Sequence, residues 1–230
     1  MSERILVMGD IHGNVKALDQ CLDRCGFDIK NDTLIQLGDV CDRHPDTATV
    51  VERLTEIPKL ITIRGNHDQW LQTWLETEET PVGWAENGGI ASIQSYIEAG
   101  DEIDRLKHHS FLRDQKDYYI DQKHRLFIHA GYTNPEGPEY EDPSSRCYWD
   151  RSLWLDAIQG RLSGQQPDRF RIFEEIYIGH TPTINWQEDT PMQAFNIWNL
   201  DTGAGWNGKL TVMDITTKEY WQSDPASELY

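Results

Sequence analysis

Five short apolar runs end in the same kind of polar loop, and this pattern restricts the chain more than any other feature. Val7-Met8 leads into Gly9-Asp10-Ile11-His12-Gly13, and Gln36-Leu37 into Gly38-Asp39-Val40-Cys41-Asp42-Arg43. Thr62-Ile63 leads into Arg64-Gly65-Asn66-His67-Asp68. Phe127-Ile128 leads into His129-Ala130-Gly131, and Tyr177-Ile178 into Gly179-His180-Thr181-Pro182. Short apolar runs bounded by glycine read as buried strands. In an α/β sheet, ligand sites gather at the carboxyl ends of the strands. Five such loops carrying Asp, Asn and His predict one convergent site, which packing alone does not require.

The order of elements agrees. Ile5–Met8 reads as strand, Val15–Arg24 as helix, Thr33–Leu37 as strand, Thr47–Leu54 as helix and Leu60–Ile63 as strand. This βαβαβ order predicts parallel pairing with helices on the sheet faces. A helical middle runs from Asp68 to Leu112, interrupted at Asn87-Gly88-Gly89. Later strands are expected at Tyr118–Asp121, Arg125–Ile128, Ile176–Ile178, Phe195–Leu200 and Leu210–Ile215, with an exposed loop at 134–145 and frayed residues at 223–230. The 230 residues suit one α/β domain spanning 1–230.

With 21 Lys and Arg against 39 Asp and Glu, the net charge is -18. Such a surface repels nucleic-acid phosphates and anionic membranes, so stable binding to either is not expected. The four cysteines form no CxxC pair and read as reduced thiols, which suits the cytoplasm. Met1-Ser2-Glu3-Arg4 lacks the basic and apolar stretches of a signal peptide. No apolar run approaches the roughly 18 residues of a membrane span.

Asp10 and His12, two apart, project to one side if their segment is extended. Carboxylate, imidazole and amide oxygen together suit Mn, Fe, Zn or Co better than a thiolate metal or a calcium cage. The set is large enough for two ions, which in two-metal sites lie about 3.5–4 Å apart. Each residue also has a plainer reading: an Asp after a strand caps a turn, and a buried His is often a satisfied core residue.

Together with Asn87-Gly88-Gly89, Trp149-Asp150-Arg151 and Asp201-Thr202-Gly203, these motifs resemble the calcineurin-like metallophosphoesterases. Within them, they resemble the PPP-type serine/threonine phosphatases, the bacteriophage lambda type in particular. The likeness runs from Gly9 to about Thr211. It implies a two-sheet sandwich flanked by helices (αββα), two divalent ions, with Mn first, and hydrolysis by a metal-activated water. Asp10 and His12 would hold the first metal, Asp39 would bridge, and Asn66, His129 and His180 would complete the second. His67 would be the general acid, positioned by Asp42. Arg43 and Arg151 would grip the phosphate.

Two positions depart from the family pattern. His44 stands where glycine follows the Asp-Arg pair, and Asp68 stands where Glu follows Asn-His. Dinucleoside tetraphosphatase relatives share the second change but often lack an acid at the position of Asp42, so Asp42 favours the protein-phosphatase side. The expected function is a phosphomonoesterase acting on phosphoproteins or small phosphoesters. A dinucleoside polyphosphate hydrolase is the alternative, and a non-catalytic module with a relict metal site the rival from another class. Gly203–Gly208 matches GxGxxG, but Leu210 fills the P-loop Ser/Thr position and an alternating strand follows, so a hairpin turn is expected there.

Overall fold

The computed structural model describes residues 3–230. The reading of the first four residues therefore lies partly outside the described residues. Among the described residues, ten strands form two five-stranded mixed sheets. β1 (Ile5–Met8), β2 (Thr33–Gln36) and β3 (Leu60–Thr62) alternate with α1 (Val15–Arg24) and α2 (Thr47–Thr55). α3 (Asn66–Thr77), α4 (Gly89–Ala99) and α5 (Arg105–Arg113) form the helical middle. β4 (Tyr118–Ile120) and β5 (Leu126–Ile128) precede α6 (Arg146–Trp149) and α7 (Ser152–Ser163). β6 (Ile176–Ile178), β7 (Met192–Ala194), β8 (Ile197–Asn199), β9 (Thr211–Asp214), β10 (Tyr220–Gln222) and α8 (Ala226–Leu229) complete the chain.

The first sheet has the order β10-β9-β1-β2-β3 and the second β4-β5-β6-β8-β7. As expected, β1, β2 and β3 pair in parallel, with Leu6 opposite Leu34 and Leu34 opposite Leu60. β5, β6 and β8 are also parallel. The carboxyl ends of β1, β2, β3, β5 and β6 each lead into one of the five polar loops.

The apolar residues form three layers, as an αββα sandwich requires. Val7, Ile35, Leu37, Phe127, Tyr177 and Met213 pack between the sheets. Leu18, Val51, Leu71, Trp84 and Tyr96 pack helices against the first sheet. Leu153, Trp154 and Ala157 of α7 do the same for the second. Strands buried on both faces read as continuous apolar runs, which is why they were legible.

Four expectations need correction. Phe195–Leu200 is not one strand: Phe195, at φ 54°, is part of the turn joining β7 to β8. Gly203–Gly208 is not a hairpin turn, because it connects β8 in the second sheet to β9 in the first; the element it leads into is a strand, not a helix. Residues 223–230 are not frayed: Ser223 Oγ accepts from Leu210 N at 2.9 Å, and Ala226 is buried. The segment Asp10–His12 is not extended, since His12 has φ 51°. Backbone bonds from Ile11 N and His12 N to the Asp39 carbonyl, at 3.0 and 2.9 Å, bend it toward β2. Among the described residues, no helix is long and apolar enough to cross a membrane.

Candidate active site

All ten residues singled out from the sequence lie where the five loops meet. Of the ten described non-glycine residues with positive φ, five are His12, Asp39, Asp42, Arg43 and His180. Such backbone costs about 1–3 kcal/mol per residue, and it persists only where surrounding bonds fix it. Asp68 supplies much of that fixing. Its buried carboxylate accepts from Asp39 N at 2.9 Å, Val40 N at 2.8 Å, Gly65 N at 3.0 Å and Gln115 Nε2 at 3.0 Å. This single side chain ties the start of α3 to the loop after β2.

Asp39 is common to two groups of three whose ligand atoms lie within 4.8 Å of one another: His12, Asp39 and His67, and Asp39, His129 and His180. His129 Nε2 is 3.4 Å from Asp39 Oδ1 and 3.2 Å from Asn66 Oδ1. His12 Nε2 is 3.7 Å from Asp39 Oδ2. Asp10 belongs to neither group; its Oδ2 accepts from His180 N at 3.0 Å and its Oδ1 is buried without a partner.

The donors fit divalent metal ions. His12 Nδ1 donates to the Cys41 carbonyl at 3.0 Å, and His129 Nδ1 to the Leu37 carbonyl at 2.8 Å. A carbonyl only accepts, so both Nδ1 atoms carry a proton, and in the neutral ring Nε2 is the nitrogen that can ligate, the usual arrangement of a metal-binding imidazole. His180 Nε2 is buried without a partner. Burial pushes the His12 and His180 imidazoles well below their ordinary value, into the neutral form that binds metals. Burial, then Asp201 and Asp39, push the Asp10 carboxyl well up. Burial pushes Asp201 up to about 6. Burial opposes charge on Asp39 too, but the facing His129 and His67 outweigh it and hold Asp39 well below the usual range. Packed carboxylates with orphaned donor atoms call for cations.

His67 has a different partner. Its Nδ1 bonds Asp42 Oδ2 at 2.6 Å. Burial lowers its pKa, but Asp39 and Asp42 outweigh burial and raise it. Asp42 also accepts from Trp84 Nε1 at 2.7 Å and Ser92 Oγ at 2.6 Å, so the carboxylate is held on three sides. Gly89 explains part of the Asn-Gly-Gly motif: a Cβ there would sit 2.4 Å from the Trp84 indole. Gly88 offers its carbonyl to Arg43 N at 3.1 Å.

A cavity of about 60 Å³ lies among these groups, lined also by Arg43, Arg151, Asp201 and Trp206. Arg151 Nη1 donates to the His180 carbonyl at 3.1 Å and Thr181 Oγ1 at 3.0 Å. Trp84, Ser92, Asp201 and Trp206 were not assigned roles from the sequence. Asp201 was signalled by its Asp-Thr-Gly motif. Trp84 and Ser92 carry no local signal, since one reaches Asp42 from the turn before α4 and the other from α4 itself. Arg64 is structural, bonding Gln72 Oε1 at 2.5 Å and the Arg113 carbonyl at 3.0 Å. The four cysteines are free and buried.

Known proteins share this chain's pattern. It is 26% identical over 221 residues to serine/threonine-protein phosphatase 1 of Salmonella typhimurium, covering 92% of this chain and 91% of that one. It is 28% identical over 216 residues to serine/threonine-protein phosphatase 2 of Escherichia coli, covering 92% of each. It is 22% identical over 275 residues to a symmetrical bis(5'-nucleosyl)-tetraphosphatase of Coxiella burnetii, covering 93% and 89%. A protein serine/threonine phosphatase structure from Saccharomyces cerevisiae shares the fold, with TM-score 0.61, 13% identity and coverage of 97% and 83%. Residues 3–187 match the sequence pattern of the calcineurin-like phosphoesterases, and the chain belongs to that family of metallophosphoesterases.

Proposed function

We propose that this enzyme is a phosphomonoesterase of the serine/threonine protein phosphatase type. Asp10, His12, Asp39, Asn66, His129 and His180 would hold two divalent ions, Mn first, with Fe, Zn or Co as substitutes. Bound there, divalent ions supply Lewis-acid charge at the phosphoryl oxygens and make water a nucleophile at neutral pH. Arg43 and Arg151, which both line the cavity, bind and orient the phosphoryl oxygens, a task that suits the guanidinium fork. His67 keeps its protonated Nε2 toward the cavity and gives that proton to the leaving alkoxide. Asp42 holds the ring in this tautomer and stabilises its charge. Carboxylate-backed orientation of a general acid matters most for alkyl leaving groups such as serine or threonine, which need the proton.

The observation that carries the reading is the 2.6 Å bond between His67 Nδ1 and Asp42, with Trp84 and Ser92 locking the carboxylate. The test compares kcat/KM for a phosphothreonine peptide and for diadenosine tetraphosphate at equal Mn²⁺. The peptide is expected to be the better substrate; a clear preference for the dinucleotide reverses the assignment and leaves the metal chemistry standing.

That second reading has support of its own. A groove of about 830 Å³ adjoins the cavity, walled by Leu155, Ile184, Trp186 and Trp206, and it offers apolar surface for a nucleobase. The likeness to the Coxiella tetraphosphatase also favours it. Against it stand the net charge of -18 and the polyanionic dinucleotide, which meets repulsion outside the cationic pocket.

A further inference from the structure

Arg43 has no carboxylate within ion-pair distance among the described residues, and its Nε is buried without a hydrogen-bond partner. What it does have is a ring: its Cζ lies 4.0 Å from the centroid of Trp206. Trp206 is 52% exposed, so burial does not fix that platform. The 204–206 loop must fix it, and the loop sits tightly on the site. A Cβ at Gly205 would fall 2.3 Å from His12 Cδ2 and 2.7 Å from Arg43 Cδ.

One side chain ties this loop to the loop that carries Arg43. His44 Nε2 bonds the Ala204 carbonyl at 2.9 Å, and since the carbonyl accepts, Nε2 is the donor. The His44 ring stacks on Tyr230, centroids 5.2 Å apart and planes at 27°. Tyr230 is itself held from two sides. Its hydroxyl donates to Asp46, and Lys16 Nζ lies 4.1 Å from its ring centroid. Lys16 Nζ also donates to the Leu229 carbonyl at 2.5 Å, which anchors α8 to α1. A contact chain thus runs from Tyr230 through His44 and Ala204 to Trp206 and Arg43.

We infer that His44 and Tyr230 are positioning residues for phosphate binding, setting the Arg43 guanidinium through the Trp206 platform. This rests on Arg43 as a phosphate ligand. An arginine whose fork is held before substrate arrives loses less freedom on binding. Released from the platform, it samples other rotamers, and phosphate affinity falls. Proton transfer by His67 is left alone, because Asp42, Trp84 and Ser92 hold that ring independently of Tyr230.

The test measures kcat, KM, inhibition by inorganic phosphate, metal content and Tm for the metal-loaded full chain. The variants are Tyr230→Ala, Tyr230→Phe, His44→Ala, Trp206→Ala and Arg43→Ala. Misplacement of a binding group by about 1 Å can cost up to about 10²-fold; Tyr230→Ala, His44→Ala and Trp206→Ala are expected to weaken phosphate inhibition by roughly tenfold. KM should rise with kcat nearly constant, the signature of lost uniform binding. Tyr230→Phe keeps the stacked ring and should retain most phosphate affinity. In an Arg43→Ala background, Tyr230→Ala should weaken inhibition no further. Unchanged phosphate inhibition in Tyr230→Ala, even with a lowered Tm, overturns the inference, as does an equal loss with and without Arg43. Unchanged inhibition in Arg43→Ala alone instead removes the phosphate-binding role on which the inference rests.

Discussion

The two sheets contribute unequally to the site. The loops of the first sheet hold one another: Asp68 binds the backbone of Asp39, Val40 and Gly65, and the Asp39 carbonyl accepts from Ile11 N and His12 N. The loops of the second sheet lean on the first. His129 Nδ1 donates to the Leu37 carbonyl, and His180 N donates to Asp10. Arg151 in turn is held by His180 and Thr181. One half is templated by its own backbone; the other is docked onto it. Residues shared between the halves should therefore be the most sensitive, and those of the docked half should fail more locally.

Asp39 is the sharpest test of that ordering. It is the one carboxylate common to both groups of three. Chelation should abolish activity, and Mn²⁺ should restore it. Asp39→Asn should reduce occupancy of both sites and lower activity by more than the roughly 10–100-fold typical of losing a ligand's outer partner. His180→Ala should deplete only one site. Metal analysis of the two variants checks this; equal two-ion loss in both would erase the distinction between the halves.

His67 comes next, within the self-templated half. His67→Asn should lower kcat on an alkyl phosphate by about 10²–10⁴-fold, the usual contribution of a general acid. Metal content should be unchanged. The loss should shrink for an aryl phosphate whose leaving group needs no proton. Because His67 Nε2 also lies 4.0 Å from Asp39 Oδ2, the metal measurement matters: depleted metal in this variant would make His67 a ligand instead.

The arginines compare the halves directly. Each charge-assisted contact to phosphate is worth about 1.5–3 kcal/mol. Arg43→Ala and Arg151→Ala should each weaken kcat/KM and phosphate inhibition by a comparable amount. Arg151 also braces the His180 carbonyl, so Arg151→Ala should slightly loosen metal binding while Arg43→Ala does not. Unchanged phosphate inhibition in Arg151→Ala would show that its work is only structural.

What the sequence revealed follows the same division. The strands and the polar loops were legible because strands buried on both faces are apolar runs and clustered Asp, Asn and His are chemically distinct. Asp10, His12, Asp39, Asn66, His129 and His180 could thus be placed at one end of the fold. The supports were not legible. Trp84, in the turn before α4, and Ser92, in α4, look like ordinary residues until the fold packs them onto Asp42. The left-handed backbone at His12 and Asp39 reverses the usual preference of such residues, and only the bonds around them impose it. Residues 223–230 looked polar enough to fray because the groups that hold them, Gln20 and Lys16, lie some 200 positions away in α1.

The smallest effect on activity is expected at the opposite end of the sandwich, away from the site loops of both halves. There Asp121 accepts from Arg125 Nε at 2.7 Å, Arg125 N at 3.0 Å and Lys123 N at 2.9 Å, beside an apolar slot lined by Ile5, Ile35, Ile61 and Tyr119. Burial opposes charge on Asp121, but the Arg125 bonds outweigh it and hold the carboxyl below its ordinary 3.8. A depressed folded-state pKa contributes stability above the unfolded value and loses it as pH falls through the folded one. Asp121→Asn should therefore lower Tm at pH 7 by roughly 2–4 °C, about 1 kcal/mol for loss of the charge from a nearly buried hydrogen-bonded pair in a chain of this size. The gap from the parent protein should narrow as pH drops below 3.8. Because the pair touches no site loop, kcat/KM should be unchanged. A Tm gap that persists undiminished in acid would mean that packing around Arg125, not the charge on Asp121, stabilises this end. A fall in kcat/KM would mean that the far end is coupled to the site through the inter-sheet layer of Tyr177 and Phe127.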